Sequence, residues 1–159
     1  MRSLTEPEVR SRFDALVRHL DHWGDVVASD EGRRRGRRLL QFQLLAPGGG
    51  LDVEVRALFR EYYRQAPDGE WDIVKYTYEY LDIVRAWRLA FHMHEVGGTA
   101  RIAHAHCEPA MDLPNGERSR HLRAVEYELR EAHQEFMRLY AAEITPECGR
   151  YLPLEVDRT

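Results

Sequence analysis

Two kinds of hydrophobic spacing divide the chain. Val9, Phe13, Leu16, Val17, Leu20 and Trp23 recur with a period of about 3.6 residues, and polar side chains fill the positions between them. Just ahead, Thr5-Glu6-Pro7-Glu8 has the form of a capping box: Thr5 as N-cap, Glu8 three residues on, and a proline early in the first turn. The pattern predicts an amphipathic helix over residues 5–22, stopped near Gly24. His19 and His22 fall near its C-terminus, where the helix dipole favours positive charge, and read as surface or capping residues.

From Arg37 to about Cys107 the period drops to two. Residues 38–46 read as a short apolar strand closed by Pro47-Gly48-Gly49-Gly50. Leu51, Val53 and Val55 alternate with Asp52, Glu54 and Arg56, giving one buried and one wet face. That strand runs on to Tyr63, with Leu58-Phe59 breaking the alternation as a bulge would. Pro67-Asp68-Gly69 marks a turn. Trp71 to Tyr80 sets Val74, Tyr76, Tyr78 and Tyr80 on one face, and Leu81-Asp82-Ile83 stands where the next turn is needed. Arg85 to Val96 carries Trp87, Leu89, Phe91 and Met93 on one side and Arg88, Ala90, His92 and His94 on the other. Gly97-Gly98 then turns the chain into a last strand, about Thr99 to Cys107.

After Pro109 and Pro114-Asn115-Gly116 the helical spacing returns. Leu122, Val125, Leu129, Phe136, Met137 and Tyr140 form the stripe of a long helix over residues 117–142, supported by a Glu126–Arg130 pair and ended by Pro146 and Gly149. Residues 143–159 are left as a tail. Helix, consecutive strands with short turns, then helix predicts a single α+β domain over residues 1–159: an antiparallel meander of about five strands across residues 38–107, with both helices packed on it.

Composition narrows the function classes. A chain of 159 residues with 43% hydrophobic and 31% charged residues is folded and long enough to bury a core. No apolar run approaches the roughly 20 residues of a membrane span and no secretory apolar region follows Met1, so a cytoplasmic protein without a membrane partner is expected. Cys107 and Cys148 are too few for a disulfide framework and read as reduced thiols. The net charge of −4 argues against a wholly basic nucleic-acid binder. The charge is uneven, however: Arg33, Arg34, Arg35, Arg37 and Arg38 cluster, and Lys75 is the only lysine. Such a run is either a solvated loop or a contact for RNA or an acidic partner, and guanidinium groups hold phosphates bidentately. Walker-type loops, nucleophile elbows, CxxC pairs and dinucleotide fingerprints are absent from the sequence.

The chemistry concentrates in His92-Met93-His94 and His104-Ala105-His106, two H-x-H pairs whose members share a face of their strands. The intervening loop decides whether the pairs meet. A two-residue Gly97-Gly98 loop sets His92 opposite Ala103 and sends the second pair to the other face. A three-residue loop ending at Thr99 sets His92 opposite His104 and gathers all four imidazoles. The second register keeps Trp87, Leu89, Phe91, Met93, Ala103 and Ala105 together as core, and burying two histidines costs more than exposing Ile102, so it is the expected one. The gathered face has three readings. His92, His94, His104 and His106 could hold zinc or another divalent metal, with Glu108 or Cys107 completing the shell. They could serve without metal as general acid and base, with Arg88 as phosphate clamp. Or they are hydrogen-bonded residues of a half-exposed sheet. The Tyr76, Tyr78, Tyr80 stripe either stacks bases or packs under a helix.

Glu61-Tyr62-Tyr63, Lys75-Tyr76-Thr77-Tyr78, Arg88, His92 to His94 and His104 to His106 together resemble the TumE family of small toxins from toxin–antitoxin pairs, over about residues 51–108. Leu89 and Ala90 follow Arg88 where that family usually has an acidic residue. The resemblance implies a compact α+β toxin, an RNA- or translation-directed activity such as that of a ribonuclease, and a helix-turn-helix antitoxin partner. The leading expectation is an RNA-directed nuclease using His92, His94, His104, His106 and Arg88. The alternative is a non-enzymatic binding module that holds protein or RNA on its sheet face and arginine run.

Overall fold

A computed structural model describes residues 3–45, 55–82, 87–97, 100–109, 121–123 and 126–141. The turns expected at Pro47–Gly50 and Pro114–Gly116, the strand start at residues 51–54, the tail at 143–159 and Cys148 lie outside the described residues. The chain forms α1 (Glu6–Leu20), strands β1 (Asp25–Arg34), β2 (Arg37–Leu45), β3 (Val55–Gln65), β4 (Trp71–Asp82), β5 (Trp87–Val96), β6 (Ala100–Pro109) and β7 (His121–Arg123), then α2 (Leu129–Ala141).

The first helix starts where its cap predicts. The backbone N–H of Thr5 donates to the Glu8 carboxylate at 2.7 Å, supplying the reciprocal half of a capping box. Val9, Leu16 and Leu20 are buried, and Phe13, Val17 and Trp23 pack beside them. An antiparallel bridge between Leu4 and Trp71 ties the entry of α1 to the start of β4, and Trp71 Nε1 donates to Glu6 at 3.0 Å.

All strands pair antiparallel in the order β1 to β7, each beside its neighbour in sequence. The α+β meander is therefore as expected, but the sheet has six long strands and a three-residue seventh rather than about five. Two strands went unread for the same physical reason. Edge pairing needs only backbone donors and acceptors, so an edge strand can lack alternation. In β1, Ser29, Asp30 and Glu31 pair with Gln41, Leu40 and Leu39 despite being polar. The Arg33–Arg38 run is thus not a loop: it straddles a tight hairpin in which Arg35 (φ 55) and Gly36 (φ 68) both adopt the left-handed conformation such turns require. At the other edge, His121–Arg123 pairs with β6, Leu122 opposite Ala105. The helix expected from residue 117 consequently begins only at Leu129, where the Glu128 N–H donates to the Glu131 carboxylate at 2.8 Å. Glu126, expected to pair with Arg130, instead bonds Arg101 at 3.1 Å, while Arg130 donates to the Ala15 carbonyl at 3.3 Å.

Two internal readings also change. Leu58 and Phe59 keep the alternation of β3, and the irregularity lies opposite, where Tyr62 pairs with Lys75 but Tyr63 with Ile73. Val74 is the extra residue, so it leaves the face of the tyrosines and is only half-buried. Leu81 and Asp82 continue β4 rather than turning.

Both helices contribute to one core on one sheet face. Leu40, Phe42 and Leu44 of β2, Phe59 of β3, Leu89, Phe91 and Met93 of β5, and Ala105 of β6 meet Leu16, Leu20, Leu129 and Phe136 there. Burial of each large apolar side chain contributes on the order of 2 kcal/mol. The tyrosine stripe belongs to this core: Tyr76, Tyr78 and Tyr80 are fully buried, and Tyr80 stacks on Phe136 with ring centroids 3.7 Å apart. Their hydroxyls are used internally, Tyr78 donating to Glu61 at 2.8 Å and Tyr76 accepting from the Tyr127 N–H at 2.9 Å. That excludes base stacking by these three rings in this structure. The opposite sheet face carries no described helix.

Candidate metal centre

The hairpin between β5 and β6 brings the two H-x-H segments together. Val96 pairs with Ala100, leaving three residues between them, and Gly97 takes a positive φ of 62°. The ladder then sets His92 opposite His104, Met93 opposite Ala103 and Ala90 opposite His106. Because Met93 and Phe91 face the helices, His92, His94, His104 and His106 share the opposite face.

Ring centroids lie 5.4 Å apart for His92–His104, 4.7 Å for His92–His106 and 4.9 Å for His104–His106. One nitrogen from each of these three lies within 4.8 Å of the others. His94 stands beside the trio, 5.4 Å from the His104 ring, but does not join it. His106 is only 6% exposed, and His92 is half-buried. The His92 Nε2 atom is buried without a hydrogen-bond partner. A buried polar atom in that condition calls for a physical account, and for Nε2 that account is the Glu79 carboxylate 3.5 Å away, which leaves Nδ1 as the His92 nitrogen for a metal.

Glu79 lies behind the trio. Its Oε1 is 3.5 Å from His92 Nε2, an ion-pair separation too long for a good hydrogen bond, and 2.6 Å from Arg88 Nη2. The His92 contact and the Arg88 bond draw the Glu79 carboxyl down to about 2, against the opposing effect of burial. Glu79 therefore stays ionised across the useful pH range. Arg88, expected to clamp phosphate, has one arm on this carboxylate. Glu79 was not singled out in the sequence; its alternation with the buried Tyr78 and Tyr80 places it on the open face, but only the β4–β5 register brings it to His92. Backbone register also sets His121 opposite His106 and Arg123 opposite His104. The side chains of Cys107 and Glu108, offered as completing ligands, lie outside the described residues.

Three imidazoles with no carboxylate among them make a borderline-soft nitrogen site. Such a set suits zinc better than magnesium or calcium and leaves a fourth position for water or substrate. Glu79 beside His92 is placed as the outer carboxylate that fixes a ligating histidine's tautomer.

A second histidine pair was missed. His133 of α2, fully buried, accepts or shares a proton with the Tyr80 hydroxyl at 2.9 Å and lies edge-on to His19 and Trp23. Burial, then the neighbouring His19, lowers His133 to about 4. His19 is half-buried rather than a surface residue, and burial, then Arg130 and His22, lowers it too; His22 is exposed as expected. The signal for His133 was available: it falls between Leu129 and Phe136 on the buried stripe of α2. Among the described residues no helix is long and apolar enough to cross a membrane. Compared with protein-family models, with curated proteins and with solved structures, the chain matches none.

Proposed function

We propose that the open sheet face is a metal-dependent phosphodiesterase site acting on RNA, with His92, His104 and His106 as the metal ligands. The observation that carries this reading is the trio of imidazole nitrogens within 4.8 Å on the face free of described helices. The burial of His106 suits a ligand better than a proton shuttle. Zinc bound by three imidazoles lowers the pKa of its water to about 7. Held by His92, His104 and His106, such an ion would supply a water nucleophile for the phosphodiester, and His94, its ring 5.4 Å from that of His104, would stand beside the departing ribose oxygen. Arg88 holds Glu79, and Glu79 orients His92.

An anionic substrate fits the charge of this face. By register, Arg37, Arg56, Arg60, Arg64, Lys75 and Arg88 lie on it against Asp25, Glu31, Asp72, Glu79 and Glu108, a small positive excess in a chain whose net charge is −4. RNA as substrate, toxin activity and a helix-turn-helix antitoxin as partner come from the TumE resemblance and belong to the same proposal.

Replacing His104 and His106 together by alanine should abolish RNA cleavage and growth inhibition while circular dichroism stays unchanged. Full cleavage by that folded variant would remove the reading and leave the non-enzymatic binding module.

A further inference from the structure

A second feature of the same face lies at the far end of β2–β4. A groove of about 780 Å³ is lined by Glu31, Arg37, Leu39, Tyr62, Arg64 and Lys75, among others. The extra residue Val74 in β4 forms part of its wall. Its cations are not equivalent. Arg38, at its base, is committed to Asp30 and Glu6, and Arg64 makes a two-bond pair with Glu95. Arg37 and Lys75 are exposed and make no ion pair among the described residues. The Lys75 ammonium lies over the Tyr62 ring, 5.1 Å from its centroid.

The groove is continuous with the histidines. Leu39 pairs with Tyr62, Tyr62 with Lys75, and Lys75 with His94, whose ring is 5.4 Å from that of His104. One row of cross-strand neighbours thus leads from the groove to the trio.

We propose that this groove is the binding subsite for single-stranded RNA, with one unstacked base on Tyr62 and the flanking phosphates on Lys75 and Arg37. The assignment rests on the reading of the histidine face as an RNA-cleaving centre and adds where the strand lies. An aromatic face next to free cations is the arrangement that holds single strands, because only an unpaired base offers its face to a ring. In the free protein Lys75 covers the Tyr62 ring. A base that takes its place leaves the ammonium to meet phosphate. Glu31, on the groove wall, disfavours phosphate on that side and points the strand toward Lys75 and His94.

The test uses the full chain carrying His104→Ala and His106→Ala, so that bound RNA survives, and fluorescence anisotropy with a labelled 12-nucleotide single-stranded RNA. Affinity should fall linearly with log salt, and Lys75→Gln and Arg37→Gln should each lower the slope by roughly 0.7. Tyr62→Leu should weaken RNA roughly ten-fold or more while leaving inorganic polyphosphate unaffected, and Tyr62→Phe should restore RNA binding. Equal affinity for duplex RNA, or parental RNA binding by Tyr62→Leu and Lys75→Gln, would overturn the subsite. In the parent with its histidines intact, groove-dependent binding without cleavage overturns the nuclease reading alone. Cleavage that is indifferent to groove substitutions overturns the subsite alone.

Discussion

His92 and His104 face each other across the β5–β6 ladder with their ring centroids 5.4 Å apart. This relationship is set by loop length. Three residues separate the paired Val96 and Ala100, and one residue fewer would turn His104 and His106 toward the helices. Deleting Thr99 should therefore abolish zinc binding and cost about 2–4 kcal/mol, since two imidazoles would enter the core. Urea denaturation and zinc titration of the deletion variant check this. Parental stability together with parental zinc binding would show that the loop does not fix the register.

Glu79 is the carboxylate that faces His92 among the described residues and is itself anchored by Arg88. Glu79→Gln keeps the size and removes the charge. Loss of such an outer carboxylate weakens a metal by about 10–100-fold. The variant should bind zinc more weakly by that factor and still fold. Unchanged affinity would mean that Glu79 only pairs Arg88.

Buried on the other face, Glu61 receives Arg12 through two bonds of 2.7 and 3.0 Å, and the hydroxyls of Tyr63 and Tyr78 at 2.6 and 2.8 Å. Burial alone would raise its pKa, but Arg12 and the two tyrosines bring it below the ordinary carboxylate value. The hub fastens α1 to β3 and β4. Glu61→Gln leaves the Arg12 guanidinium with only the longer, exposed contact to Glu128 at 3.6 Å and should destabilise the fold by about 3 kcal/mol, read from urea midpoints. A shift within error would place the stability of α1 in its apolar stripe alone.

His133 gives the fold a pH dependence whose sign is fixed. The unfolded imidazole takes a proton below about pH 6.5, whereas the folded one resists until about 4. The unfolded state thus binds more protons between those values, and stability declines as pH falls through that window, by up to about 3 kcal/mol. His133→Gln removes the titration and should flatten the profile. The same slope in that variant would assign the effect to other groups.

How much of this was legible can be traced to particular residues. The period of Val9, Leu16 and Leu20 marked α1, and the alternation of Leu89, Phe91 and Met93 marked β5, because each pattern reports a buried stripe. The histidine face followed from the cost of burying His104 and His106. What escaped was held by backbone or by register. β1 and His121–Arg123 complete ladders at the sheet edges without alternation, and Leu122 fits a helical period and a strand pairing equally well. Glu79 and the Tyr62–Lys75–His94 row exist only once the strands are aligned.

The claim on which the chemistry depends is that His92, His104 and His106 form one metal site. Isothermal titration of the metal-free full chain with zinc tests it most directly. A single saturable site per chain, lost in His104→Ala and in His106→Ala but kept in His22→Ala, is the predicted result. Absence of saturable binding, or a site that survives both substitutions, would contradict it.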